Sequence, residues 1–268
     1  LLQLNQFYIG EAVNFMKENI PDNFVDLIIT SPPYDDLRKY NGFIFDYQNM
    51  FKELYRVTKD GGVVVWVVGD KTDKGSETLS SFKHALYAKK IGFNVHDTMI
   101  WEKTGMLPTQ DRYYNIFEYM FVLSKGKPKT MNFICDHKTV NGGKIQKKDN
   151  CINKGKHEYG DGSFIRNEYS RRTNIWRIHV GKNKETKKHP APFPEQLAQD
   201  HIITWSNEGD IVLDPMCGSG TTCKMAYLNK RNFISIDMSE EYINDICIPR
   251  LNTYGWEQNQ KLVIKECL

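Results

Sequence analysis

The chain has 268 residues, 40% of them hydrophobic and 26% charged, with a net charge of +3 at pH 7. That length allows one large α/β domain or a domain carrying a substantial insertion, and no stretch approaches the roughly 20 apolar residues of a membrane-spanning helix. Acidic residues within Leu1 to Ile20 stand where a secretory leader would be apolar, so a cytoplasmic protein without membrane contact is expected.

The first strand is expected over Gln6 to Ile9 and the second over Val25 to Thr30, and the spacing of Ala12, Phe15 and Met16 predicts a helix between them. The second strand runs into Thr30-Ser31-Pro32-Pro33-Tyr34-Asp35-Asp36. Two prolines lack backbone donors and fix their own dihedrals, so the strand must leave through a stiff, extended corner. A helix is predicted over Met50 to Lys59, stopped by Asp60-Gly61-Gly62. Val63 to Val68 follow, all β-branched except Trp66, as expected for a strand buried on both faces of a parallel sheet with helices on each side.

Thr78 to Ile91 reads as a further helix, followed by strands at Val95 to Glu102 and Glu118 to Ser124. From Lys125 the texture changes. Residues 125–190 contain seventeen Lys and Arg against six Asp and Glu, so the rest of the chain is net acidic. With Gly142-Gly143, Gly155, Gly160 and Gly162 and few apolar runs, 125–187 reads as an irregular insertion with a binding face. It divides a first half, 1–124, from a second half, 188–268. In the second half, helices are expected at Glu195 to Trp205, Thr221 to Asn229 and Glu240 to Leu251, with strands at Ile211 to Leu213 and Phe233 to Ile236.

Ile211 to Thr222, IVLDPMCGSGTT, is a strand, a glycine turn and a helix start. Gly218 and Gly220 let backbone approach a ligand, and Ser219, Thr221 and Thr222 suit a helix start with free N–H groups. Asp237, at the end of the next strand, can accept hydrogen bonds from both hydroxyls of a ribose. Thr221 stands where a P-loop has lysine, and Asp214-Pro215 would repel phosphate but attract an ammonium. No GxGxxG spacing suits a dinucleotide. A nucleoside with a cationic amino-acid tail fits, and S-adenosylmethionine is such a molecule. The six cysteines form no CxxC pair and have no companion histidine pattern, so no metal is expected, and Cys217 reads as a small turn residue.

With SPPY and DPMCGSGTT both in view, the chain resembles the amino-methylating DNA methyltransferases in their permuted order, catalytic motif before cofactor motif. The likeness extends over nearly all of the chain outside the insertion, including Tyr55 to Gly62, Phe117-Glu118-Tyr119 to Gly126, and Lys188-His189-Pro190-Ala191-Pro192-Phe193-Pro194. It implies a Rossmann-like α/β methyltransferase fold, mostly parallel with a late antiparallel hairpin, and an inserted target-recognition region.

The resemblance also implies roles. An exocyclic amino nitrogen is a poor nucleophile until acceptors hold its hydrogens, and these are the Ser31 side chain and the Pro32 carbonyl. Pro33 keeps the corner rigid, and Tyr34 stacks on a base flipped out of the duplex. Asp214, Pro215, Met216, Cys217, Gly218, Ser219, Gly220, Thr221 and Asp237 hold S-adenosylmethionine, with Glu11 near the adenine and His189 and Phe193 at the methionine end. Arg38 and Lys39 continue the catalytic loop toward double-stranded DNA, and Arg166, Arg171, Arg172 and Arg177 in the insertion would neutralise phosphates or read guanine edges. Serine at the head of the motif resembles the cytosine N4 enzymes, with adenine N6 the alternative. More remote readings are a protein glutamine methyltransferase, whose motif is NPPY, and a silent DNA-binding module. A cognate restriction endonuclease, and monomer or homodimer, are left open.

Overall fold

Val63, Val65 and Val67 point to one side of their strand and Val64, Trp66 and Val68 to the other, and all six are buried. A strand with no wet face must be covered by helices on both sides, and that requirement organises the protein. The computed structural model describes residues 2–33, 45–105, 111–147, 163–165, 167–180 and 194–258.

In chain order the first half contains β1 (Gln6–Ile9), α1 (Ala12–Asn19), β2 (Val25–Thr30), α2 (Tyr47–Val57), β3 (Thr58–Val68), a small ribbon of β4 (Thr72–Asp73) and β5 (Ser76–Glu77), α3 (Ser80–Ile91), β6 (Asn94–Thr104) and β7 (Phe117–Ser124). Then come β8 (His137–Lys138), β9 (Ile145–Lys147), β10 (Ser163–Ile165), β11 (Tyr169–Ser170) and β12 (Ile175–His179). The second half adds α4 (Glu195–Trp205), β13 (Ile211–Asp214), α5 (Thr221–Leu228), β14 (Asn232–Asp237), α6 (Glu240–Tyr242), a π-helical turn at Ile243–Cys247 and α7 (Ile248–Asn252).

Eight strands form the central sheet in the order β1-β14-β13-β2-β3-β7-β6-β12. From β1 to β3 all neighbours are parallel, whereas β7 runs antiparallel to both β3 and β6, which gives the late hairpin expected from the sequence. One apolar layer packs Leu27, Ile29, Val65, Val212 and Phe233 against α4, α5 and the last helices. The other packs Ile28, Val64, Trp66 and Leu213 against α1, α2 and α3. Helix starts carry their own signals: Asp46 accepts the Gln48 and Asn49 N–H groups at α2, satisfying donors that have no intrahelical partner.

Three elements differ from expectation. Helix α2 ends at Val57 rather than Lys59, and β3 begins at Thr58, because the Thr58 hydroxyl returns to the Leu54 carbonyl while Thr58 itself is extended. Gly61 and Gly62 therefore lie inside a strand, at a register irregularity against β2, where Gly61 takes φ +80° and bonds Lys125. The last expected helix is broken into α6, the π turn and α7. Pro249 lacks an N–H and its ring clashes with the carbonyl four residues back, so the preceding turn widens and Ile248 N–H reaches Ile243. Finally, β12 pairs in parallel with β6, so residues 175–179, read from sequence as part of the irregular insertion, belong to the central sheet.

Residues 133–173 form a second compact unit. It contains two short antiparallel ribbons, β8 with β11 and β9 with β10, and the Arg172 guanidinium grips Asp136 through Nε and Nη2 at 2.5–3.1 Å.

A Cβ added at Gly62 would stand 2.8 Å from Thr58 Cγ2, 2.9 Å from the Lys59 carbonyl and 3.0 Å from that of Asp26. Gly62→Ala is therefore expected to lower the unfolding free energy by about 1–3 kcal/mol in a urea titration. An unchanged midpoint would show that the start of β3 yields without cost.

Candidate active site

Strands β1, β14, β13, β2 and β3 are mutually parallel, so their carboxyl ends share one edge of the sheet. Chain order reverses between β13 and β2, and a reversal of this kind opens a crevice beyond the strand ends in open α/β sheets. Ser31-Pro32-Pro33 leave β2 at this edge, the glycine loop leaves β13, and Asp237 ends β14. Glu11 follows β1, whose end is tied to β14 by Gly10 N–H on the Asp237 carbonyl.

The two motifs are bonded to each other. Thr30 Oγ1 donates to Asp214 Oδ1 at 2.8 Å, and Thr222 Oγ1 donates to the Ile29 carbonyl at 3.3 Å. Asp214 is 1% exposed. Burial pushes its carboxyl up to about 7, only partly opposed by its hydrogen bonds with the Thr222 and Thr30 side chains and the Met216 N–H. Pro32 is buried and Ser31 and Pro33 are half-buried, as a rigid corner at a strand end requires.

The loop turns tightly, with Gly220 N–H on the Cys217 carbonyl at 2.8 Å and Cys217 N–H on Ile236 at 2.9 Å. Gly218 and Gly220 have φ of +50° and +70°, left-handed conformations that explain glycine at both positions. Gly218 N–H donates to Asp237 Oδ2 at 2.7 Å and Ser239 N–H to Oδ1 at 2.8 Å. Each carboxylate oxygen has a further lone pair for another donor. Burial raises the Asp237 carboxyl, and these N–H bonds oppose the rise. Cys217 is buried and its thiol is pushed well above the ordinary range by burial, then by Cys247, so it is no nucleophile. Glu11 caps α1 through bonds from Val13 and Asn14 N–H at 3.0 and 2.8 Å.

A second tier lies against this loop. Arg250 Nη1 donates to the Ser219 carbonyl at 2.8 Å and to Thr221 Oγ1 at 3.0 Å, while Nη2 bonds Glu195, which also receives Lys224 Nζ at 2.8 Å. Burial alone would raise the Glu195 carboxyl, but hydrogen bonds from Lys224 and Arg250 outweigh it and hold the group below its usual range. No local motif marks Glu195, Lys224 or Arg250. The only signal was that a lysine and an arginine fall on otherwise apolar helical faces.

Tyr34, Arg38, Lys39, Arg166, His189 and Phe193 lie outside the described residues. Arg171 and Arg172 belong to the unit 133–173, where the Arg171 guanidinium lies 4.3 Å from the Phe133 ring centre. Arg177 stands on β12 and pairs with Glu102 at 2.5 Å, with its side chain 71% exposed.

The DNA methylase pattern of N6 and N4 methyltransferases matches residues 25–247. The chain belongs to this DNA methylase family. An orphan methyltransferase, M.BamHII of Bacillus amyloliquefaciens, is 56% identical over 254 residues, covering 89% of this chain and 93% of that relative. The type II methyltransferase M.HpaI of Haemophilus parainfluenzae is 30% identical, over 87% of this methylase and 70% of its own length. Among solved structures, the M1.HpyAVI complex with S-adenosylmethionine superposes with a TM-score of 0.62 at 25% identity, covering 92% of this chain and 98% of that one. The cytosine-N4-specific PvuII methyltransferase shares the fold, with a TM-score of 0.65 at 18% identity over 96% of this chain and 95% of its own.

The methylase's own donor set suits a nucleoside with a cationic tail. The residues from Ile211 to Thr222 include no Lys or Arg, the nearby cations Lys224 and Arg250 are engaged with Glu195, and the groups at the strand ends are carboxylates.

Because the Asp214 carboxyl sits near 7 in the folded methylase and near 4 when unfolded, the native state binds the extra proton between about 4 and about 7. Its contribution to stability is therefore full at the low end and lost as pH rises through that window. Asp214→Asn should flatten the pH dependence of unfolding between pH of about 4 and about 7, measured by urea titration, and an unaltered slope would assign it to another group.

Proposed function

We propose that this methylase transfers a methyl group to the 4-amino nitrogen of cytosine in double-stranded DNA. S-adenosylmethionine is its methyl donor and supplies, when bound, an electrophilic methyl on a sulfonium. The observation that carries the reading is the Thr30–Asp214 hydrogen bond, which joins the proline corner to the glycine loop at neighbouring strand ends. An amino nitrogen conjugated with a base ring must be held, oriented and relieved of conjugation, and a rigid corner is suited to that.

In this reading Ser31 Oγ and the Pro32 carbonyl accept the two amino hydrogens and favour a pyramidal nitrogen whose lone pair is available. Pro33 stiffens the acceptors, and Tyr34 stacks on the flipped base. Transfer is direct and in line: the amino nitrogen gains the methyl as the methyl–sulfur bond breaks, the nitrogen then loses one of its two protons to solvent, and no side chain bonds covalently to the base. Asp237 holds the ribose hydroxyls, and Gly218 to Thr221 present backbone to the nucleoside. Asp214, Pro215, Met216 and Cys217 shape the start of the loop, with Glu11 near the adenine and His189 and Phe193 at the methionine end. Arg38, Lys39, Arg166, Arg171, Arg172 and Arg177 contact DNA. Cytosine over adenine rests on serine at the head of the motif.

Nucleoside mass analysis of duplex DNA treated with the protein and S-adenosylmethionine should yield N4-methylcytosine. Recovery of N6-methyladenine would reverse the base assignment, and absence of both would reject the activity. Tyr34→Ala should reduce turnover at least about a hundredfold with little change in donor affinity, whereas Asp237→Asn should weaken donor binding about tenfold or more before it affects turnover. Equal losses of donor affinity in the two variants would contradict these roles.

A further inference from the structure

The internal hydrogen bonds of the glycine loop, Gly220 N–H on the Cys217 carbonyl and the Ser219 hydroxyl with that of Thr221, leave the Ser219 carbonyl to a partner from outside the loop. Two of its residues occupy left-handed backbone conformations, and left-handed glycines are also the most freely rotating positions of an unfolded or loosened chain. What fixes the Ser219 carbonyl between them comes from far away in sequence. Arg250, on α7, reaches back with Nη1 to the Ser219 carbonyl and the Thr221 hydroxyl, and with Nη2 to Glu195 on the first turn of α4. One helical turn earlier, the Cys247 thiol donates to the Gly218 carbonyl at 3.2 Å. Lys224, on the helix that the loop begins, meets the same Glu195 oxygen.

The Arg250 side chain is 2% exposed and that of Lys224 4%. Placing two such cations out of water is costly unless hydrogen bonds and opposite charge compensate them, and Lys224–Glu195–Arg250 provides both. The guanidinium is planar with a fixed fork, so its two arms set the Ser219 carbonyl and the Glu195 carboxylate in one geometry. A lysine ammonium also carries several donors, but on a single nitrogen at the end of a flexible stem, so it does not fix two partners at the spacing of the fork. The carbonyl of Ser219 is thereby held toward α7. Glu195 also follows directly on Pro194, where the segment containing His189 and Phe193 enters α4.

We propose that Arg250 and Glu195 are positioning residues for the methyl donor, setting the shape of the 217–221 loop and tying it to the start of α4 without touching the donor. The inference rests on the reading of this loop as the donor site. Its signature is a selective loss of donor affinity: the loop becomes less ordered before binding, while the catalytic corner after β2 is unaltered.

Binding of S-adenosylmethionine by equilibrium titration, thermal unfolding without ligand, and steady-state kinetics on duplex DNA would be measured for the unaltered chain, Arg250→Lys and Glu195→Gln. Arg250→Lys should raise the donor dissociation constant about tenfold, and Glu195→Gln about threefold, with kcat at saturating donor within about twofold and DNA affinity unchanged. Should Arg250→Lys fail to fold, Glu195→Gln decides the matter alone. Unchanged donor affinity in a folded variant, whatever its melting temperature, reduces the cluster to a structural support and overturns the proposal. A kcat loss without a change in donor affinity does the same. If the unaltered chain does not bind the donor, the reading of the loop itself falls, and this inference with it.

Discussion

One hydrogen bond joins residues 184 positions apart: the Thr30 hydroxyl on the buried Asp214 carboxylate. It exists because β2 and β13 are adjacent and parallel, with Leu27 opposite Val212 and Ile28 opposite Leu213, so both strands expire at the same level of the sheet. Everything proposed for the site follows from that register. A slip of one residue would turn Leu27 and Ile29 away from one apolar layer and Ile28 from the other, so burial on both faces enforces the alignment that brings the motifs together.

The loop after β13 illustrates how a binding surface made of backbone acquires rigidity. Its glycines allow close approach but supply no side-chain contacts. Order is provided instead by Asp237 on the next strand and by the ion cluster of Glu195, Lys224 and Arg250. Such a cluster adds little net stability, because desolvation consumes most of the electrostatic gain, yet it penalises any displacement that breaks it. Geometry rather than stability is the benefit. The carboxylates at the strand ends behave similarly: burial disfavours their charge, and hydrogen bonds to hydroxyls and backbone N–H groups retain them in place.

Most elements were legible in the sequence where pattern and punctuation agreed. The unbroken apolar run of Val63 to Val68, β-branched except at Trp66, the helical spacing from Glu195 to Trp205 and the glycine turn between Leu213 and Thr221 each carried their own local cause. Misreadings fell where a distant contact prevailed over local chemistry. Gly61-Gly62 looked like a stop but sits within β3, where Gly61 accommodates Lys125 and Lys129 from the segment that follows β7. Ile175–His179 looked like part of a basic loop but pairs with β6, and Trp176 and Ile178 bury on alternate positions against the sheet's core.

The sequence alone determined which groups are available. It specified a proline corner that cannot continue a strand, a glycine turn that only small residues can form, an acidic strand end, and the absence of a phosphate-binding lysine. These are properties of single residues and their immediate neighbours, and they sufficed to suggest the donor and the family. Tertiary structure decided where those groups meet and what holds them: the pairing of Thr30 with Asp214, the raised Asp214 carboxyl, the fork of Arg250 beneath Ser219. Each depends on loss of water around groups brought together from remote parts of the chain, and desolvation has no local code in the order of residues.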